Sequence, residues 1–82
     1  MARQTRYTRL AAWPLENSDS VKVQLVEAQD GVSVDIRRWR RRESDGVEHP
    51  TSHGIRVPLV HVRTLHRALN EVLAMLHPRR YT

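Results

Sequence analysis

Five arginines surround one tryptophan in residues 35–42, DIRRWRRR. Guanidinium groups form forked, bidentate hydrogen bonds with phosphates, and an indole ring offers a flat surface on which a base can stack. On an extended strand, side chains on one face are about 6.6 Å apart, which is close to the phosphate spacing of an extended single strand. Arg37 and Arg41 would share a face, with Trp39 between them. The pattern favours contact with single-stranded nucleic acid over a core tryptophan on a charged, pairing-resistant edge strand.

The rest of the composition agrees with a polyanionic partner. The 82 residues include 14 Lys and Arg against 9 Asp and Glu, and all of the basic residues except Lys22 are arginine. The sequence pI is about 11.0, and a basic domain with clustered arginine is typical of nucleic-acid binding. A chain of this size buries a thin core, and without cysteines it has no disulfide to support that core. We therefore expect a homo-oligomer.

Several function classes are disfavoured by what the sequence lacks. It has no nucleophile elbow and no Gly-rich phosphate loop, so we expect no enzymatic activity and no cofactor. His49 and His53, and His61 and His66, are pairs without acidic or cysteine ligands at matching spacing, so no metal site is predicted. No apolar run could span a membrane, and no secretory signal is evident. The expected location is the cytoplasm, associated with the nucleoid in a bacterium or phage host, or the nucleus in a eukaryote.

Alternating apolar residues predict the strands that carry this chemistry. Residues 21–26 and 32–42 alternate, and the Asp30–Gly31 dipeptide between them is a strong hairpin signal. In the second strand, the core face that begins at Val32 would continue into Arg38, Arg40 and Arg42. Either the strand extends beyond the core there, or a bulge resets its register.

Further turns and strands follow. A second Asp-Gly turn lies in residues 43–46, and residues 47–50 and 54–59 are two short strand candidates bounded by Pro50 and Pro58. Residues 1–19 show no clean period and are expected to form a basic, partly flexible arm. Residues 20–78 would form the domain, and 79–82 a tail.

The last element is an amphipathic helix. Its apolar stripe steps by three and four residues through Val62, Leu65, Leu69, Val72 and Leu76. The predicted fold is therefore α+β, with the order β-β-β-β-α. The stripe is long for one small sheet to cover, so we predict a homodimer through these five residues. The alternative is that the whole stripe packs on its own sheet.

These segments, in this order, resemble a known family. DIRRW, an acidic Asp-Gly turn, HPTSHGIRVPL and an amphipathic helix are similar to the DNA-binding domain of the positive cofactor four family of transcriptional coactivators. The resemblance covers about residues 21–76. The matching residues are Gly31, Asp35, Ile36, Arg37, Trp39, Asp45, Gly46, Pro50, Gly54, Ile55 and Val57, with Leu65 and Leu69 in the helix.

The resemblance implies a curved, four-stranded antiparallel sheet followed by a helix, assembled as a homodimer. It also implies binding of single-stranded or unpaired DNA and a role in transcription, or in DNA repair and replication. Arg37 matches a backbone-contacting arginine, and Trp39 an aromatic next to it. His53 stands where the family prefers lysine, and Arg40 where some members have a second aromatic.

The predicted nucleic-acid site combines both lines of reasoning. The arginines of residues 37–42 would hold phosphates, Trp39 would stack on a base, and three further residues would extend the groove. Two alternatives remain open: a binder of double-stranded DNA or structured RNA, and an interaction module that docks an acidic protein, such as part of the transcription machinery. The complete predicted site is Lys22, Arg37, Arg38, Trp39, Arg40, Arg41, Arg42, His53 and Arg56.

Overall fold

The computed structural model describes residues 4–76, which form one antiparallel sheet and one helix. A single 3-10 turn, Glu16–Ser18, joins the first two strands, and the four strands lie in the sheet in chain order. This arrangement confirms the predicted β-β-β-β-α order. The elements are β1 (Arg6–Pro14), β2 (Ser20–Ala28), β3 (Gly31–Arg41), β4 (Glu48–Pro58) and α1 (Leu59–Leu76).

Strand β1 lies where we expected a flexible arm, so that prediction is corrected for most of residues 1–19. The strand pairs with β2 along its length, but the register shifts between Arg9, opposite Gln24, and Ala11, opposite Val23. The extra residue, Leu10, changes which alternate positions face each side of the sheet. No single alternation therefore runs through β1. Residues 1–3 of the predicted arm, and the tail at 79–82, lie outside the described residues.

Strand β4 replaces the two short strands predicted around Pro50. Proline is tolerated here because β4 is an edge strand, where an absent N–H can face away from the ladder. Trp39 pairs with Pro50 and Arg37 with Gly54, so β4 has two more residues than β3 in this interval. The bulge leaves the alternation of β3 intact, and β3 itself extends to Arg41.

Thr51 holds this bulge in place. Its Oγ1 donates a hydrogen bond to the Arg38 carbonyl at 2.8 Å and accepts one from the backbone N–H of His53 at 3.1 Å. The hydroxyl thus satisfies backbone groups that the regular ladder would have paired.

Both predicted Asp-Gly turns are confirmed. Ala28 pairs with Gly31 across a two-residue turn, and Gly31 has φ 141°, which favours glycine. At the second turn, Gly46 has φ 69° and donates its N–H to the Arg42 carbonyl at 2.8 Å.

The described chain is thin and has a very small core. Its dimensions are 49 × 35 × 17 Å, and its radius of gyration is 15.7 Å, against about 11–12 Å for a compact domain of this length. Val26, at 1% exposure, is the one fully buried apolar residue among residues 4–76. Helix α1 contacts β3 and β4. Within the same range, the structure contains no helix with the length and apolar content needed to span a bilayer.

Candidate nucleic-acid interface

Strand pairing places the predicted site residues on two faces of the sheet. Directly paired residues of an antiparallel sheet lie on the same face. Lys22 therefore lies on the face of its partner Arg37, and Arg56 on the face of its partner Asp35. These are the same face, because Asp35 and Arg37 are two residues apart on β3. Trp39 and Arg41 alternate onto that side too, which we call the groove face. Arg38 pairs with Val21, and Arg40 with His49, on the opposite face. The five arginines predicted to hold phosphates are therefore divided between the two faces, as the alternation of β3 indicates.

The groove face is built from rows of side chains that cross all four strands. One row begins with Tyr7 and the next with Arg9, both from β1. The four rows are Tyr7–Val26–Ser33–Pro58, Arg9–Gln24–Asp35–Arg56, Ala12–Lys22–Arg37–Gly54 and Pro14–Ser20–Trp39–Pro50. An open groove of about 570 Å³ lies on this face, and both Tyr7 and Trp39 line it.

Sequence reasoning missed the contribution of β1 to this face. Tyr7, 57% exposed, adds a second aromatic ring, and Arg9 adds an exposed cation. Their residue types were visible in RYTRLAAWP, but the Leu10 bulge hides the alternation that would have placed them on a strand.

A buried carboxylate organises the centre of the groove face. Asp35 is 4% exposed. Its oxygens accept hydrogen bonds from Arg37 Nε at 3.1 and 3.3 Å and from Arg37 Nη2 at 2.9 Å. The hydrogen bond to Asp35 raises the pKa of the Arg37 guanidinium, against the opposing effect of burial. Arg37 Nη1 also donates to the Thr51 carbonyl at 3.0 Å. Arg37 is therefore held within the sheet surface, and its charge is already paired.

Gly54 provides the space for this arrangement. A Cβ at Gly54 would lie 2.7 to 2.9 Å from side-chain carbons of Arg37. Those distances are too short for any β-carbon contact, so the arginine stem lies directly across the glycine. The glycine of the GIRVPL segment is thus required by close packing rather than by a positive φ.

Lys22 and Trp39 form a second cluster at the far end of the groove face. The ammonium of Lys22 lies 4.4 Å from the Trp39 ring centroid, a cation–π contact. It also forms an ion pair with Glu48 Oε1 at 2.8 Å, while Ser20 Oγ donates to Glu48 Oε2 at 3.2 Å. These contacts, chiefly the one with Lys22, lower the pKa of Glu48. The cation predicted for phosphate binding is thus paired with a carboxylate and covers the indole.

Three arginines remain more accessible on the groove face. Arg41 is exposed and donates one hydrogen bond, to the Gly46 carbonyl at 3.0 Å. Arg56 lies 3.5 Å from Asp35, with half of its side chain exposed. Arg9 forms no ion pair with any residue in the range 4–76. The face carries five basic side chains against Asp35 and Glu48, so it is net positive.

Two predicted contributors lie elsewhere. His53 is exposed in the β4 bulge and does not line the groove. Arg42 follows the end of β3 and lines a separate pocket with Arg38 and Arg40. In the part of the chain that is described, no three His, Asp or Glu side chains converge as a metal site would require.

Comparison of the chain with family models, with curated proteins and with solved structures gave no match. The interface is therefore interpreted from its own geometry.

Proposed function

We propose that the protein is a non-enzymatic, single-stranded DNA-binding protein of the positive cofactor four type, acting in transcription regulation. The observation that carries the proposal is that two aromatic rings, Tyr7 and Trp39, line one groove together with the exposed Arg56, on a sheet face that also carries the exposed Arg9 and Arg41. The proposed setting is the cytoplasm or nucleoid of a bacterium or phage host, or the nucleus of a eukaryote, with transcription machinery as a further partner.

Aromatic rings favour unpaired over duplex DNA. Bases in a duplex already stack on each other, whereas the bases of a single strand can stack on protein side chains. The rows that contain Tyr7 and Trp39 are six residues apart along β3, or about 20 Å at the rise of a strand. Side chains on one face of a strand repeat roughly every 6.6 Å, which is close to the phosphate spacing of an extended single strand, so this distance corresponds to about three nucleotides. Arg9 and Arg56 lie in a row between the two rings, and Arg41 lies just beyond Trp39, so they would neutralise phosphates along this segment and next to it.

The decisive test compares a labelled oligonucleotide, single-stranded and then duplexed, by fluorescence anisotropy at about 50 and 200 mM salt. We expect tighter binding of the single strand and quenching of tryptophan emission. Trp39→Ala should weaken binding by about 5- to 150-fold with an unchanged salt slope, because one stacked base contributes about 1–3 kcal/mol. Arg41→Gln should instead reduce the slope by about 0.7.

Trp13→Ala is the matched control, because Trp13 is also exposed but pairs with Val21 on the opposite face. It should leave binding unchanged. Equal or tighter binding of the duplex would contradict the single-strand proposal and favour recognition of shape. Absence of binding at the lower salt concentration would favour docking of an acidic protein instead.

A homodimer is the second part of the proposal, and the helix supports it. Val62 and Leu65, in the first half of the apolar stripe, are half-buried. Leu69 is 55% exposed, and Val72 and Leu76 are also exposed. Large exposed apolar patches on a small protein mark interaction sites, and a core as small as this one needs support. A second copy covering this half of α1 would supply it. A curved sheet, as in the family that the sequence resembles, is part of the same proposal.

Leu69→Glu is expected to convert the dimer to monomer at micromolar concentration, because a charge in an apolar interface loses its hydration without gaining a partner. Sedimentation equilibrium over a dilution series measures the change. Arg67→Glu, at an exposed position of the same helix away from the stripe, is the control and should leave the mass unchanged. A wild-type protein that is already monomeric at these concentrations would refute the proposed dimer.

A further inference from the structure

A second basic pocket lies on the side of the sheet away from Trp39. Its volume is about 890 Å³. Four arginines and two carboxylates are among its lining residues, which include Arg38, Arg40, Arg41, Arg42, Asp19, Glu43 and His49. Among the residues that line it, the single aromatic ring is the half-buried imidazole of His49. A pocket with several guanidinium groups and no large aromatic surface suits phosphate groups more than bases.

A buried carboxylate fixes the arginines of this pocket. Asp19 is 5% exposed. Its Oδ2 accepts a hydrogen bond from Arg38 Nε at 2.7 Å and lies 3.7 Å from Arg40 Nε. Both arginines are therefore held through their Nε atoms, which leaves their terminal Nη groups available for a ligand. Arg40 keeps 63% of its side chain exposed.

The loop before β2 is strained where it borders the pocket. Asn17 has φ 61° and Ser18 has φ 66°, and both residues line the pocket. Consecutive non-glycine residues with positive φ are costly and persist where the surrounding structure enforces them, often at ligand sites. Backbone hydrogen bonds close the loop here, since Leu15 N–H donates to the Asp19 carbonyl at 2.7 Å. The loop so formed leads directly into Asp19, which lies beneath the arginines.

The pocket is continuous with the groove. Pro50 and Thr51, at the β4 bulge, line both the groove and the arginine pocket. A strand that passes Trp39 in the groove would thus reach the pocket around this edge of the sheet.

We propose that the arginine pocket binds the backbone phosphates of the same DNA strand after it leaves the groove past Pro50 and Thr51. The inference rests on the proposed function and extends it: the groove binds bases and phosphates, and the pocket binds phosphates alone. Arg38, Arg40 and Arg42 therefore form a distinct subsite.

The test measures affinity for oligothymidylates of about 5 and about 12 nucleotides, the shorter one filling the groove alone. A longer oligomer offers the protein more positions at which to bind, which raises the apparent affinity by a statistical factor. Beyond that factor, the wild-type protein should bind the longer oligomer about tenfold more tightly than the shorter one. The double variant Arg40→Gln/Arg42→Gln should lose that gain and keep its affinity for the shorter oligomer. Arg63→Gln, which changes an exposed arginine on α1, is the control and should keep both.

The outcomes separate the two proposals. If the wild type binds the short oligomer but the double variant keeps the full gain with length, the phosphate subsite is refuted and groove binding stands. An equal loss of affinity for both oligomers also refutes the subsite, because the arginines would then act only through the overall electrostatic potential of the protein. If the wild type binds neither oligomer, the proposed function fails, and the subsite with it.

Discussion

Replacing Asp35 with alanine is expected to destabilise the protein by about 3 kcal/mol, because removing one partner of a buried ion pair leaves the other charge uncompensated. The Asp35 carboxylate accepts three hydrogen bonds from Arg37 and lies 3.5 Å from Arg56. In the variant, both guanidinium groups face each other without the anion. Chemical denaturation followed by circular dichroism measures the loss.

Two further variants make this result specific. Asp35→Asn keeps the shape of the side chain and should lose less stability, since the amide oxygen can still accept from Arg37. Glu43→Ala removes an exposed carboxylate from the second turn and should change stability by less than about 0.5 kcal/mol. Equal stability of Asp35→Ala and the wild type would show that the carboxylate does not organise the groove face.

The same contacts change the role expected for Arg37. As a strand residue next to Trp39, it was predicted to hold a phosphate. In the structure its donors are directed at Asp35 and the Thr51 carbonyl, and its stem is packed over Gly54. Arg37 therefore forms part of the floor of the groove. The exposed guanidinium groups of Arg41 and Arg56 are better placed to bind phosphates.

The sequence was informative where one period runs through a whole element. The predicted count of four strands agrees with the structure because β1, which was not predicted, offsets the two predicted strands that form the single β4. Strands β2 and β3 alternate without interruption, their turn carries Asp-Gly, and α1 keeps its three-four spacing, so these three elements could be predicted. β1 could not be, because the Leu10 bulge shifts its alternation between Arg9 and Ala11. The prolines of β4 were interpreted as strand ends, although an edge strand tolerates proline. Whether a strand lies at the edge depends on the topology of the whole sheet, which local sequence patterns do not show.

The candidate site shows the same limit. The alternation of β3 correctly placed Arg37, Trp39 and Arg41 on one face. The Asp35–Arg37 pair, two residues apart on that face, could have been found from the same alternation. Glu48 could not, because its contact with Lys22 depends on the register of β4 against β3 and on the turn between them. Long-range register decides which predicted cations are already paired.

That pairing leads to an expected gain of affinity in Glu48→Gln, of about fivefold to tenfold for single-stranded DNA. Glu48 is ion-paired with Lys22 and lies opposite Arg41 in the sheet, so it competes with a phosphate for these cations, and the Lys22 ammonium that it binds lies over the Trp39 ring. Glutamine removes the competing charge, so Lys22 moves from the indole to a phosphate more readily than in the wild type, and a base stacks on the ring at a lower cost. The salt slope should increase by about 0.7, since one more phosphate is neutralised. Anisotropy titrations at several salt concentrations measure both changes.

The pH dependence provides the internal control for this variant. Because Lys22 lowers the pKa of Glu48, the carboxylate stays ionised down to below its ordinary value of 4.5. The stabilisation from the Lys22–Glu48 pair is therefore present above about pH 4.5 and is lost as the pH falls through the lower folded-state pKa. The affinity difference between wild type and Glu48→Gln should accordingly be constant from pH 8 to pH 5 and narrow only below that range, where protonated Glu48 resembles glutamine. Glu71→Gln, at an exposed position of α1 that lines neither the groove nor the arginine pocket, should show no such difference at any pH. Weaker binding by Glu48→Gln at neutral pH would contradict the competition and show instead that Glu48 holds Lys22 in its binding position.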